Sequence, residues 1–476
     1  MGKYKNLISN TVLFAVGTFS SRLLTVLIMP LLTYLLVPQE FSGVKNAMTI
    51  CNFILPIMYL SISEAVIRFG LDRDYKKTDV FTISMLVVLG GYAVFLCLMP
   101  LLSAWNFIDG YQRLISIFVL TSASHTVINH YVRASGLVRI FALDGMFTSV
   151  ATVTFVWLFI MQLKLGAGGY MLATICADGL SALGLLLSLR LYRFFRLKGI
   201  DWATARAMLR YSVPLVPTAL LWWVVNLSSQ LFVTNMSGDV ANGVYAIASQ
   251  IPAMITLVSA VFTQAWQVSA FTEYRSEGGR RFYSNVFRSY YSLVFLAAAG
   301  IILLIRPVTA LIYDVEYYAS WQYSLFLVLG VSFSCLVTFL GTIYNVVKKN
   351  SMVMITTAVG AALSLSLNFL LIPKWGPLGA SISTFLSYFT VFVIRAIDTR
   401  RYIKIDMQPL RIAGSLLLLL AQVGVSLLQP PLGMLWQVLL VLALAFCNLG
   451  YLLFMFQRLW GMAMGFLHRR PTQENS

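Results

Sequence analysis

Apolar runs of about twenty residues recur along the whole of this chain, each long enough to cross the ~30 Å hydrocarbon core of a bilayer as a helix. Backbone in lipid has no water to bond with, so such runs fold as helices or as closed barrels of alternating strands. The alternation a barrel strand needs is missing. Charged residues make up only 11% of the 476 residues, and hydrophobic ones 59%. A soluble domain averages roughly 25% charged. The reading is an all-α integral membrane protein. The first run is too long for a secretory signal, lacks a small-residue cleavage site and keeps a basic flank at Lys3 and Lys5.

Fourteen spans are expected, at roughly 8–36, 42–66, 80–104, 112–132, 142–163, 168–190, 211–236, 243–270, 285–305, 319–346, 351–373, 376–396, 410–428 and 433–457. With these spans, 28 of the 34 Lys and Arg fall at the termini and in the even-numbered connections. Five fall at the odd ones: Lys45, Arg113, Lys164, Arg306 and Lys374. That asymmetry predicts cytoplasmic termini and an even number of spans. The net charge of +17 is thereby explained by loops on one side of a membrane, and nucleic acid is not expected as a partner. The five cysteines all lie in apolar runs without ligand-like spacing and read as small packing residues.

Two segments repeat. "LLVPQEFSGV" (35–44) and "NMSGDVANGV" (235–244) share a short turn ending in Gly-Val, and "GAGGYMLAT" (166–174) parallels "GPLGASIST" (376–384). Matches in the same order at nearly one spacing indicate an internal duplication. Six spans per copy give two pseudo-symmetric lobes in the same orientation around a central cavity, an arrangement found in transporters. The expected division is an N-lobe over 1–190, an amphipathic cytoplasmic linker over 191–210, a C-lobe over 211–396, and two extra helices with a tail over 397–476. Pro30, Pro56, Pro214, Pro217 and Pro252 interrupt spans that open the two halves and mark candidate kinks.

One residue is out of place in the first span: Arg22, in "AVGTFSSRLLTVLIMPLL". An arginine at mid-membrane costs roughly 2.5–3.5 kcal/mol on insertion scales, so it is expected to face protein or water and to have a partner. Thr18, Arg22 and Thr25 share a helical face. Two partners are open. One is an anionic phosphate of a cargo, which a guanidinium holds bidentately. The other is Asp178, at comparable depth in the sixth span, whose carboxylate is also a candidate for cation coupling. Glu64 and Arg68 are spaced to form an i,i+4 gate pair at the cytoplasmic end of the second span. His125 and Asn129 add polar groups to the fourth span, with His125 and His130 read as hydrogen-bonded packing residues. Asn226, Ser229 and Gln230 fall within about one turn of the seventh span and are expected to offer a neutral lining for sugar.

The run "YNVVKKNSMVMITTAVGAALSLSLNFLLIPKWGPLGASISTFLSY" (344–388), with "RYSVPLVP" (210–217) and "NGVYAIASQIP" (242–252), resembles the polysaccharide-exporter, Wzx-like branch of the MOP flippase superfamily. The residues that carry it are Asn345, Lys348, Lys349, Asn368, the Ile372–Pro373 pair, and Gly376, Gly379 and Ala380. The resemblance implies a flippase that moves an undecaprenyl-diphosphate-linked oligosaccharide across a bacterial cytoplasmic membrane by alternating access. It implies no cofactor and leaves Na⁺, H⁺ or membrane potential as the drive. Glycosyltransferases and a polymerase of the same pathway are the implied partners besides the bilayer. Where that family commonly carries Asp-Arg in the seventh span, this chain has Ser229–Gln230, so an ionic site in the second lobe is not expected. Lipid II flipping and MATE-type cation-coupled drug export are the alternatives. An enzyme is not expected, because the longest outer connection, around Asp314 and Glu316, offers no base, metal set or nucleophile.

Overall fold

The structure is a computed structural model that describes residues 28–453, apart from 73, 103–109, 197–198, 257–258, 261, 264–265, 267–269, 271–278 and 348. Every described regular element is helical, and each of the fourteen expected intervals contains helix. Among the described residues, eight helices are long and apolar enough to cross a membrane on their own. In the N-lobe these elements are α1 (28–35), α2 (Pro38–Met58), α3 (Ile62–Leu71), α4 (Lys77–Leu102), α5 (Gln112–Ala134), α6 (Val138–Val156) and α7 (Gly166–Ser188). After α8 (Trp202–Ser212), the C-lobe runs through α9 (Val216–Ser237), α10 (Asp239–Ala248), α11 (253–256), α12 (Gly279–Ile312), α13 (Ser320–Val346), α14 (Asn350–Trp375) and α15 (Pro377–Asp398). A hairpin of α16 (Pro409–Leu428) and α17 (Gly433–Cys447) then packs on α12.

The second span is broken rather than continuous. α2 and α3 meet at a 52° bend, where Leu60 and Ser61 both adopt left-handed backbone (φ 52° and 49°). Pro56 lies one turn before the break and cannot donate to the helix, which weakens the ladder there. Pro217 sits in the first turn of α9, where its missing N–H costs nothing. Pro252 falls in the turn that separates α10 from α11. The ninth span is longer than expected: α12 begins at Gly279 and carries its basic residues out of the apolar layer as helix. Arg288 there pairs with Asp406, and Arg280 donates to the Lys404 carbonyl at 2.8 Å.

The Gly-x-x-Gly-Ala turn has a steric reason. Gly376 is left-handed (φ 55°), and a Cβ on Gly379 would lie 2.5 Å from the Leu371 carbonyl oxygen, so only glycine lets α15 fold back this closely on α14. Of the basic connection 191–210, only its second half is α-helix. Asp201 caps α8 by accepting from the Ala203 amide (2.9 Å) and the Thr204 hydroxyl (2.7 Å), which holds its carboxyl below the usual range. α8 packs on α3 and leaves Trp202 76% exposed, placed to enter a membrane interface.

Candidate functional site

The lobes meet chiefly where α2 packs antiparallel against α9 and along α10. Polar side chains zip this seam. Thr49 donates to Gln230 Oε1 (2.7 Å), and Asn46 donates to the Thr234 hydroxyl (3.0 Å). Asn242 donates through its amide to Ser42 Oγ and Asn46 Oδ1, both at 2.9 Å. Ser42 in turn donates to Asp239 at 3.2 Å. Ser42 and Asn242 occupy equivalent places in the two repeated sequence segments, each at the second residue before its Gly-Val pair's valine. A Cβ on Gly243 would lie 2.0 Å from the Pro38 carbonyl oxygen, so backbone touches backbone here. Tyr317 closes the same end by donating to the Leu36 carbonyl at 2.8 Å.

Towards the other end the seam opens. Where α2 breaks into α3, a cavity of about 300 Å³ lies between Pro56, Tyr59, Ser63 and Glu64 on one side and Leu215, Thr218 and Ala219 on the other. Lys45, half-buried, shares the seam-facing stripe of α2 with Ser42, Asn46 and Thr49.

A second constellation lies inside the N-lobe, on α5, α6 and α7. His125 bridges two carboxylates: Nε2 is 2.9 Å from Asp144 Oδ2, and Nδ1 is 3.2 Å from Asp178 Oδ1. Asn129 and Ser181 both donate to Asp144. Asp144 is 6% exposed and Asp178 9%. A neutral imidazole has one N–H and cannot donate to both carboxylates. The geometry therefore calls for one proton more than a neutral histidine and two carboxylates hold, shared over the three groups. Among the described residues, no group of three His, Cys, Asp or Glu side chains is arranged to hold a metal ion.

The structure alters several expectations. Thr18, Arg22 and Thr25 lie outside the described residues, as does the side chain of Asn226. Asp178 is not a lone carboxylate: it shares His125 with Asp144, which the spacing reading passed over. Ser229 and Gln230 do not present one common lining. Neighbours on a helix point about 100° apart, and here Ser229 accepts from Asn368 of α14 (3.1 Å) while Gln230 serves Thr49 of α2. Glu64 and Arg68 do not form an ion pair. The Arg68 guanidinium lies 4.5 Å over the Tyr211 ring of α8, a cation–π contact that ties α3 to that helix, and Glu64 is left at the cavity.

A buried arginine does occur in the second lobe, at Arg395, counted above among the residues of a connection. It is 1% exposed and donates to the Val337 carbonyl (2.8 Å), Thr356 Oγ1 (2.9 Å), Thr357 Oγ1 (3.0 Å) and the Val353 carbonyl (3.2 Å). Gly341 makes room for it, since a Cβ there would lie 2.8 Å from Nη1.

Residues 7–267, more than half of the chain, match the family model described as polysaccharide biosynthesis protein. The chain belongs to the polysaccharide biosynthesis protein family. No curated protein sequence matches it as a relative. Among solved structures, it is similar to the lipid II flippase MurJ in an inward closed conformation, with a TM-score of 0.71 at 12% identity over 94% of this chain and 99% of that one. A multidrug resistance MATE family transporter of the MOP superfamily is similar in its inward-facing form, with a TM-score of 0.65 at 16% identity over 82% of this chain and 98% of that one. An outward-facing MATE structure gives 0.60 at 16% identity over 84% and 96%. The fold of this chain is the one that these solved transporter structures share.

Proposed function

We propose that this protein flips an undecaprenyl-diphosphate-linked oligosaccharide from the inner to the outer leaflet of a bacterial cytoplasmic membrane, with both termini in the cytoplasm. The observation that carries the reading is a seam between two repeated lobes, zipped at one end and open at the other, in a chain of the polysaccharide biosynthesis family. A cargo entering from the open end meets Glu64, Thr218 and the two α2–α9 walls. Unzipping Ser42 and Asn242 releases it on the other side. Arg22 supplies a cationic group that replaces water around the diphosphate as it enters, and Lys45, on the zipped stretch of the seam, supplies another as that end opens. Arginine does so as a planar fork, lysine as a point charge. The extra hairpin α16–α17 favours a lipid-linked cargo over a drug: the MurJ likeness spans 94% of this chain and the MATE likeness 82%. Enzymes that build and polymerise the oligosaccharide are the partners such a flippase serves.

The His125–Asp144–Asp178 cluster is our candidate for coupling, with H⁺ as the ion. A proton shared over three groups on α5, α6 and α7 is released or gained when those helices shift relative to one another.

The experiment uses proteoliposomes holding lipid-diphosphate oligosaccharide in the inner leaflet. Its arrival outside is read by an impermeant sugar-modifying reagent. Wild type is expected to equilibrate the leaflets. Arg22→Lys keeps part of the rate, Arg22→Ala loses most of it and Arg22→Glu loses all, at equal protein levels. Lipid II as the cargo tests the related lipid substrate, and an ethidium efflux signal without lipid transport would move the chain to the drug-exporter class.

A further inference from the structure

A pocket of about 500 Å³ lies apart from the seam, between the end of α12 and the turn of the α16–α17 hairpin. Its walls are partly apolar (Ile302, Pro307, Met434) and partly polar (Arg306, Ser426, Gln437). The Arg306 guanidinium lies 4.8 Å over the Trp321 ring, and its Nε is buried without a hydrogen-bond partner. Gln437 is 6% exposed and donates to the Gln422 carbonyl (2.8 Å) and Ser426 Oγ (2.6 Å), yet its own Oε1 is buried and unpartnered. Pro307 adds an unused acceptor, because a proline cannot donate to the carbonyl four residues back, that of Leu303. A half-buried guanidinium whose Nε–H is buried and unpartnered, beside the buried spare acceptor of Gln437, is costly unless a ligand completes it.

The surroundings name that ligand. Tyr318 lines the pocket, and Trp436, 52% exposed and next in sequence to the lining residue Gln437, is placed as aromatic residues are at the level of lipid headgroups. Next to the lining residues along α12 and the hairpin, Leu304, Leu311, Leu428, Leu432 and Leu435 are 50–83% exposed. Acyl chains would cover such exposed apolar side chains. We propose that this pocket holds the headgroup of an anionic phospholipid whose polar end carries hydroxyls, of the phosphatidylglycerol type. The phosphodiester accepts from Arg306, and headgroup hydroxyls donate to Gln437 Oε1 and the Leu303 carbonyl. Zwitterionic phosphatidylethanolamine places an ammonium where Arg306 already stands and is disfavoured. The lipid would wedge the hairpin against α12 and so fix the C-lobe's outer edge.

Native mass spectrometry of the full-length protein tests this, after delipidation and add-back of defined lipid. Phosphatidylglycerol is expected to be retained at about tenfold lower concentration than phosphatidylethanolamine, the ratio that a ~1.4 kcal/mol difference gives. Arg306→Gln should erase that preference. Ala310→Trp, which fills the pocket while keeping the charge, should erase retention at equal folding, judged by thermal melting. Arg113→Gln, at another cation assigned to the same side, should change nothing. Equal retention of both lipids by wild type, unchanged retention in both pocket variants, or displacement of phosphatidylglycerol by millimolar inorganic phosphate would each overturn the proposal, the last by making the site one for a free anion.

Discussion

At the scale of single residues, Asp144 is the group that the rest of its cluster serves, since His125, Asn129 and Ser181 all direct donors at it. Asp178 meets the cluster through His125. Asp144→Asn should therefore abolish the response of transport to an imposed pH gradient, and Asp178→Asn should reduce it less. Proteoliposome transport with and without the gradient measures both; an undiminished response in Asp144→Asn would leave the cluster a packing device. Arg395 belongs to a different physics. Its four hydrogen bonds join α13, α14 and α15, and Arg395→Met should lower stability by about 3 kcal/mol, as loss of charged buried hydrogen bonds does, read as a lower melting temperature in detergent. Asp178, His125 and Asn129 were legible in the sequence because each stands well inside an apolar run. Asp144 was not: the run appears to begin at 142, but α6 begins at Val138, which moves Asp144 about 9 Å into the helix. Arg395 was hidden for the mirror reason, five residues before the basic pair Arg400–Arg401 that marks a connection.

At the scale of elements, apolar length revealed where helices lie, and turn chemistry revealed how they join. What stayed hidden was which face of a helix meets which neighbour. Asn226, Ser229 and Gln230 show this, because their spacing was legible while the positions of α2 and α14 around α9, set by long-range packing, were not. The repeated Gly-Val turn was the informative signal. Its physical reason is the close approach of Gly243 to Pro38, across the seam that Asn242 ties. Gly243→Val cannot keep that approach and must part α2 from α10 at the zipped end. Asn242→Ala removes hydrogen bonds without adding bulk. The first should shift the protein to the state in which this end is open, and the second should do so partially, each with a smaller fall in melting temperature than Arg395→Met. Distance measurements between spin labels on 42 and 239 would show a longer, broader distribution. Distances unchanged in Gly243→Val would mean that the seam is not what separates the two states.

At the scale of the whole molecule, the charge asymmetry and the seam make one joint prediction. The basic connections predict Arg196 in the cytoplasm and Asp239 outside. Asp239 opens α10 at the zipped end, and Thr218 lines the cavity near the start of α9, one helix length away. If the open end is the cytoplasmic one, Thr218→Cys in a cysteine-free background should react with an impermeant maleimide applied from the cytoplasmic side, and Thr234→Cys, whose position is covered by Asn46, should be protected from both sides. Adding Gly243→Val should reverse the pattern: Thr234→Cys becomes reactive from outside as Thr218→Cys loses reactivity, because one rigid pair of lobes cannot be open at both ends without leaking. Labelling of both cysteines at once would describe a pore. Labelling of Arg196→Cys and Asp239→Cys from the same side would contradict the two-lobe orientation itself. A reversal produced by one substitution at the repeated turn is the outcome that alternating access requires, since that mechanism couples the two ends through the rocking of one lobe against the other.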